Sequence, residues 1–120
     1  RQVVALGGPT VWNIKVHRVG GLTEVCRIYQ IAAQYGAELW AGTMPESGIG
    51  SQAPLAVAAL PLCVYPSDLE PSARWYGRNN DVIKLTMGKD GRMAVPDQSA
   101  ARLLDRGRFE GATRHLASLP

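Results

Sequence analysis

The sequence predicts an α/β fold built on a parallel sheet, and two observations carry this prediction. Three short apolar runs typical of strands lie at 11–16, 38–41 and 62–65. Two stretches with the length and apolar content of helices, 22–35 and 51–60, separate them. Strands that alternate with helices of this length form right-handed βαβ units, in which neighbouring strands run parallel.

The composition fits one globular domain and excludes several other classes of protein. Hydrophobic residues make up 46% of the 120 residues and charged residues 19%, a balance that supports a packed core and argues against disorder. The net charge is +3 and the basic residues are scattered, so we expect no nucleic-acid partner. No apolar stretch approaches the roughly 20 residues of a membrane-spanning helix. No leader is recognisable, and the expected location is the cytoplasm.

The first helix and the first strand follow from local signals. Residues 1–6 have the apolar content of the last turns of a helix, and the Gly-Gly-Pro run after them ends it. The next segment carries large apolar side chains at every second position, Trp12, Ile14 and Val16, which is the period of a strand. The polar residues between them are therefore expected on the opposite face of the sheet.

Glycine and proline set the ends of the two longer helices. The helix at 22–35 is expected to end at Gly36, because glycine readily adopts the left-handed conformation that follows a helix. The helix at 51–60 is expected to end at Pro61, which cannot continue it.

The last third of the chain predicts a hairpin and a short helix. Residues 82–87 and 92–95 flank a four-residue connection, which is typical of a hairpin. Residues 98–106 are expected to form a short helix that ends at Gly107. The tail after this helix carries no clear signal.

Lys15 is the residue that most strongly indicates chemistry. It lies near the carboxyl end of the first strand, on the face opposite Ile14 and Val16, where α/β folds and β/α barrels collect ligands and catalytic groups. A lysine held there in a partly desolvated pocket gives up its proton more readily than one in water, as a general base must. The alternative is a surface lysine that reaches solvent, which the local pattern alone favours because buried lysines are rare.

Other polar residues that follow the strands are weaker candidates. The guanidinium of Arg18 suits recognition of a carboxylate. The Gly-x-Gly turn at 48–50 precedes a helix whose first N–H groups could bind an anion, although a tight turn capped by Ser51 explains it equally well. Asp68 and Glu70 could hold an amine or a cation, or could simply face solvent.

Three segments together resemble a known family. They read WNIKVHRVGG from residue 12, ELWAGTMPESGIG from residue 38 and LPLCVYPSDLEPSARWY from residue 60. In this order and spacing the chain resembles the C-terminal half of the enolase superfamily, muconate-lactonizing subgroup. Within that subgroup it is most similar to o-succinylbenzoate synthases and N-acylamino acid racemases, over residues 1–97.

The resemblance implies the C-terminal part of a TIM-type (β/α)7β barrel, followed by a C-terminal hairpin and tail. The sixth, seventh and eighth barrel strands would be Trp12–Val16, Glu38–Gly42 and Leu62–Tyr65. Residues 1–80 would form a partial barrel, and residues 81–120 would return to a capping domain. Because a full barrel needs about 250 residues, the chain is expected to be a fragment and to be inactive alone.

By the same resemblance, Lys15 is the catalytic residue and faces a second lysine across the substrate. The implied reaction removes a proton next to a carboxylate and forms an enediolate, which Mg²⁺ stabilises in this superfamily. The charge of Lys15 would stabilise that intermediate as well. The metal ligands are expected upstream of Arg1 and not in this chain. Seven residues are expected to bind the substrate: Arg18, Met44, Glu46, Ser47, Gly48, Ile49 and Asp68.

The identity of the substrate stays open, because the substrate-side segments depart from the family pattern. Thr43 and Pro45 replace a glycine and a leucine of the usual Gly-Gly-Met-Leu-Glu loop. Asp68 and Glu70 resemble the Asp-x-Asp with which dipeptide epimerases hold an amino group. The Arg-Trp-Tyr run at 74–76 instead favours the synthase and racemase branch.

The expected whole enzyme is a lyase or isomerase that acts on a small carboxylate and forms a homo-oligomer. An o-succinylbenzoate synthase or N-acylamino acid racemase ranks first, a dipeptide epimerase second and a muconate cycloisomerase third. An alternative of another class is a small non-catalytic α/β module that binds an anion at residues 47–50.

Overall fold

The computed structural model describes residues 2–77, 81–98 and 100–117. Contacts within the chain divide it into two compact units, of which unit 1 is Arg1–Met44 with Ala53–Leu69 and unit 2 is Pro45–Gln52 with Glu70–Pro120. In the described ranges, no helix is long and apolar enough to cross a membrane.

Unit 1 is built on a two-stranded parallel sheet, as the alternation of strands and helices predicts. Its strands pair from Val11 opposite Glu38 to Ile14 opposite Ala41. The α/β class with parallel strands is therefore confirmed. The elements of this unit are α1 (Gln2–Ala5), β1 (Val11–Ile14), α2 (Val16–Val19), α3 (Leu22–Tyr35) and β2 (Glu38–Ala41).

The core of unit 1 lies between the sheet and α3. Side chains from the sheet and the helices are almost fully buried together, among them Ile14, Val25, Ala32 and Leu39. Gly36 adopts a left-handed conformation with φ 67° at the end of α3, and its N–H donates to the carbonyl oxygen of Ala32. The predicted span and end of this helix are therefore confirmed.

The first predicted strand is too long by two residues. β1 ends at Ile14, and Val16 already begins α2. The carbonyl oxygen of Lys15 accepts hydrogen bonds from the N–H groups of Arg18, at 2.9 Å, and Val19, at 3.1 Å. These bonds close a helical turn, so the backbone beyond Lys15 is no longer extended and cannot pair with β2.

The third predicted strand, Leu62–Tyr65, is reduced to one parallel bridge between Cys63 and Leu39. The carbonyl oxygen of Leu62 accepts from the N–H of Leu39 at 2.8 Å, whereas the N–H of Cys63 turns back to Leu60 at 2.9 Å. The direction of the predicted strand is confirmed, but the N–H of Cys63 is used locally and a ladder does not form.

Tyr65 adds a side-chain link between this segment and β2. Its hydroxyl donates to Oε2 of Glu38 at 2.5 Å. This hydrogen bond, together with the negative charge of the carboxylate, raises the pKa of Tyr65. The segment is thus held to β2 by one backbone bridge and one side-chain bond.

The helix predicted at 51–60 runs instead from Gly48 to Ala58 and contributes residues to both units. We name it α4. Within unit 2 its first N–H, that of Gly48, donates to Oδ2 of the buried Asp81 at 2.6 Å. A carboxylate that accepts from the first turn stabilises a helix start, so the helix begins before Ser51.

Unit 2 contains the remaining helices, α5 (Ala73–Tyr76), α6 (Ala100–Leu103) and α7 (Arg106–Ala117). The single helix predicted at 98–106 is wrong, because α6 ends at Leu103 and Gly107 lies inside α7. Asp105 explains the break: its Oδ1 accepts from the N–H of Arg108 at 3.1 Å, which is the geometry of a helix cap.

The predicted hairpin of unit 2 has its turn but only one bridge. The N–H of Gly88 donates to the carbonyl oxygen of Arg92 at 2.8 Å, and Gly91 adopts a positive φ of 76°. Met87 and Met93 form an antiparallel bridge. The flanking residues are not strands, so the predicted turn is confirmed and the extended arms are wrong.

Candidate active site

Lys15 lies at the carboxyl end of β1, where it is the residue before α2. Its backbone is extended, with φ −110° and ψ 108°. Its neighbours Ile14 and Val16 are 1% and 4% exposed, so the alternation of the strand directs Lys15 away from the core. The side chain is nevertheless only 22% exposed. This is not a lysine that extends into bulk water.

The amine of Lys15 is held by a network within unit 1. Its Nζ donates to the carbonyl oxygen of Thr43 at 2.5 Å and lies 3.6 Å from Oδ2 of Asp68. The N–H of Thr43 in turn donates to Oδ1 of Asp68 at 2.7 Å. The three residues therefore form a closed ring of polar contacts, which fixes the amine beyond the end of the strand.

Thr43 contributes to this network through its backbone. Both its N–H and its carbonyl oxygen are used, and its hydroxyl donates to the carbonyl oxygen of Met44 at 2.9 Å. The departure from glycine at this position is therefore compatible with the network, because every residue except proline supplies the same backbone groups.

Gly42 forms the floor beneath the amine. It is buried, and a methyl group added there would lie 2.8 Å from Nζ of Lys15 and 2.5 Å from Nδ2 of Asn13. Both distances are shorter than a carbon atom and a nitrogen atom tolerate. The absence of a side chain at residue 42 thus leaves the space that the amine occupies.

We expect Gly42→Ala to displace the amine at little cost in stability. The atoms that must move are the ends of two flexible side chains, so the unfolding midpoint should change little. A misplaced catalytic group costs up to about 10²-fold in rate, and we expect a fall of at least tenfold in kcat of the whole protein. Gly111→Ala is the control, because an added methyl there meets nothing within 4 Å. A fall in kcat matched by Gly111→Ala would contradict this prediction.

The predicted substrate residues of unit 1 lie beside or near this network in sequence. Asp68 is part of it, as described. Arg18 is an exposed residue of α2, and its N–H donates to the carbonyl oxygen of Lys15. Met44 is 36% exposed and directly follows Thr43.

The other predicted substrate residues belong to unit 2. Glu46 is 9% exposed and Ile49 is 41% exposed. The hydroxyl oxygen of Ser47 accepts from the N–H of Gly50 at 3.5 Å. Gly48 begins α4 and packs so closely that a methyl group added there would lie 1.9 Å from the carbonyl oxygen of Ile83.

Asp81 contacts the start of α4 and could not be identified from the sequence. Its Oδ2 accepts from Gly48, and its Oδ1 accepts from the N–H of Ile83 at 3.3 Å. The chain's own carboxylate therefore occupies the start of α4, the position at which the sequence suggests that an anion could bind. No sequence signal near residue 48 indicates a cap that lies 33 residues further along the chain.

The described residues contain no cluster of three or more His, Cys, Asp or Glu side chains that could hold a metal ion. The described residues therefore do not form a magnesium site by themselves. Burial raises the pKa of the Cys63 thiol, which works against a thiolate nucleophile.

Comparison with known proteins identifies similar sequences and structures. The family described as enolase C-terminal domain-like matches residues 1–99. The chain is 35% identical to N-succinylamino acid racemase of Thermus thermophilus over 98 residues, which are 81% of this chain and 26% of that protein. It is 37% identical to o-succinylbenzoate synthase of Geobacillus stearothermophilus over 98 residues, again 81% of this chain and 26% of the other.

A solved structure shares the fold. It is a probable mandelate racemase from Alicyclobacillus acidocaldarius, with a TM-score of 0.83 and 33% identity over 92% of this chain and 30% of that one. Compared with the two sequence relatives above, the chain spans about a quarter of the length of each.

Proposed function

Because the chain belongs to the enolase C-terminal domain-like family, we propose that it is part of a longer lyase or isomerase that removes a proton next to a carboxylate. The preferred activities are those of its relatives, N-succinylamino acid racemase and o-succinylbenzoate synthase. A dipeptide epimerase and a muconate cycloisomerase rank second and third.

The observation that carries the proposal is the amine of Lys15. It lies at the carboxyl end of a parallel strand, is 22% exposed and has fixed partners in Thr43 and Asp68. A base needs this combination of access and fixed geometry, because a proton is transferred only over hydrogen-bond distance.

In the proposed reaction, Lys15 takes the proton from the substrate carbon as a neutral amine. The ammonium that results keeps the carbonyl oxygen of Thr43 as a hydrogen-bond acceptor and the carboxylate of Asp68 as a counter-charge. The same positive charge would stabilise the enediolate beside it. The guanidinium of Arg18, which belongs to α2, would bind a carboxylate of the substrate.

Dependence on Mg²⁺ is part of this proposal. In this superfamily the ion stabilises the negative charge of the enediolate. By the resemblance, its ligands would come from parts of the enzyme outside this chain. Residues 81–120, the hairpin segment and tail, would return to a capping domain of that enzyme.

The test is exchange of the α-hydrogen by the whole protein. Incubated in D₂O with an N-succinylamino acid, the protein should replace the α-hydrogen with deuterium, followed by proton NMR. We expect a chelator to abolish the exchange and added Mg²⁺ to restore it, and we expect the isolated 120-residue chain to show none. The proposal fails if neither N-succinylamino acids nor the o-succinylbenzoate precursor reacts at any Mg²⁺ concentration.

The non-catalytic alternative is less well supported. It requires free N–H groups at the start of α4, whereas Gly48 already donates to the carboxylate of Asp81 at 2.6 Å. A second anion at this position would be repelled by that charge.

A further inference from the structure

Asp68 divides its two carboxylate oxygens between two partners within unit 1. Oδ1 accepts from the N–H of Thr43 at 2.7 Å, and Oδ2 lies 3.6 Å from Nζ of Lys15. Since the carbonyl oxygen of Thr43 also accepts from Lys15, the carboxylate contacts both the amine and the peptide that holds it. Each contact reinforces the other.

This arrangement differs from the role expected for Asp68 in the sequence, which was to bind the substrate. A carboxylate that binds a substrate amino group needs oxygens directed to that group. Here one oxygen is occupied by a backbone N–H and the other faces the lysine. Glu70 also differs from the second residue of an Asp-x-Asp pair that holds a substrate amino group. Within unit 2, its Oε2 already accepts from Nη1 of Arg74 at 2.6 Å.

We propose that Asp68 is a positioning residue that fixes the Lys15 amine for proton transfer, by holding both the amine and the Thr43 peptide. The inference rests on the proposed function of Lys15 as the base. Without Asp68, the amine keeps its strand position but loses its counter-charge, and the Thr43 loop loses the acceptor of its N–H. The amine then samples several rotamers, and only a fraction of encounters has the geometry for transfer.

A positioning role predicts a particular pattern in the kinetics. In the proposed role Asp68 acts through Lys15 and not on the substrate, so its loss should leave KM nearly unchanged. The fall should appear in kcat, because the misplaced amine affects only the step in which the proton moves. A residue that binds the substrate predicts the opposite, a raised KM.

The experiment compares Asp68→Asn with Asp90→Asn in the whole protein. Asparagine keeps an oxygen that can accept from Thr43, and it replaces the charged oxygen that faces Lys15 with an uncharged amide nitrogen. Asp90 is a matched control in unit 2: it is an exposed carboxylate that also accepts a backbone N–H, from Arg92 at 3.1 Å. A thermal unfolding midpoint close to that of the unmodified protein checks the fold of each variant.

We expect Asp68→Asn to lower kcat roughly 10-fold to 100-fold with KM within about twofold, and Asp90→Asn to change neither. Asp68→Glu keeps the charge and should retain more of kcat than Asp68→Asn, even if both variants lose stability. A KM raised tenfold with kcat kept, equal kcat values for Asp68→Asn and the unmodified protein, or a lower kcat for Asp68→Glu than for Asp68→Asn would each overturn the inference.

The failure of the proposed function is distinguishable from the failure of this inference. If Lys15→Ala is inactive and Asp68→Asn is fully active, the role of Asp68 alone is wrong. If Lys15→Ala is itself fully active, there is no base to position, and both are wrong.

Discussion

Replacing Lys15 by alanine is expected to lower turnover of the whole protein by roughly 10²-fold to 10⁴-fold, the range that a general acid or base contributes. The Lys15 side chain is only 22% exposed, and its amine is held by Thr43 and Asp68. No other described lysine has this environment. The chain has two more lysines, Lys84 and Lys89, and both are exposed residues of unit 2.

Two further variants separate the roles of this side chain. Lys89→Ala removes an exposed lysine from the turn at 88–91 and should leave turnover unchanged. Lys15→Arg keeps a positive charge that does not deprotonate near neutral pH. It should therefore lose α-hydrogen exchange of the one enantiomer that depends on Lys15, while keeping part of any reaction that needs only charge. Steady-state assays of both activities measure this, and wild-type turnover by Lys15→Ala would refute the assignment.

Replacing Gly48 by alanine is expected to cause the largest loss of stability. The added methyl group would lie 1.9 Å from the carbonyl oxygen of Ile83 and 2.8 Å from its carbonyl carbon. These are backbone atoms, so a change of rotamer cannot relieve the clash. Overpacking costs about 1–3 kcal/mol and occasionally more, whereas the better helix propensity of alanine returns at most about 1 kcal/mol.

The net effect should be a clear fall in the free energy of unfolding, measured by urea denaturation of the whole protein. Gly50→Ala, in the same helix, is the matched variant, because its methyl group would meet Oε2 of Glu46 at 2.8 Å. That oxygen ends a flexible side chain and can move. If Gly50→Ala destabilises the protein as much as Gly48→Ala, the close approach of Ile83 is not what requires glycine at residue 48.

Structural features that depend on residues close together in the chain could be predicted from the sequence. The helix α3 and its end at Gly36 were predicted correctly because apolar spacing and a left-handed glycine lie within one short segment. The parallel direction of β1 and β2 follows from the helix between them. The placement of Lys15 opposite Ile14 follows from the two-residue period of a strand.

Features that depend on distant partners could not be predicted in this way. The start of α4 at Gly48 depends on Asp81, 33 residues away. The predicted strand Leu62–Tyr65 forms only one bridge, at Cys63, because the N–H of Cys63 donates to the carbonyl oxygen of Leu60. The helical break before α7 depends on the orientation of the Asp105 side chain. Composition and periodicity carry no information about these contacts.

The candidate site likewise contains one feature that the local sequence predicts and others that depend on distant contacts. Lys15 could be identified from its position at the end of a strand, and the resemblance assigned its chemistry. The contribution of Thr43 could not be identified, since it uses backbone groups that every residue except proline possesses. The two contacts of Asp68 likewise required the folded geometry of the loop.

The most direct test follows the α-hydrogen of each enantiomer of an N-succinylamino acid separately, in D₂O, with the whole protein carrying Lys15→Ala. In the proposed function, Lys15 at the end of β1 would reach the substrate carbon from one face, and the resemblance implies a second lysine on the other. We therefore predict that one enantiomer stops exchanging its hydrogen while the other continues. Continued exchange of both enantiomers at the rate of the unmodified protein would show that Lys15 is not the base.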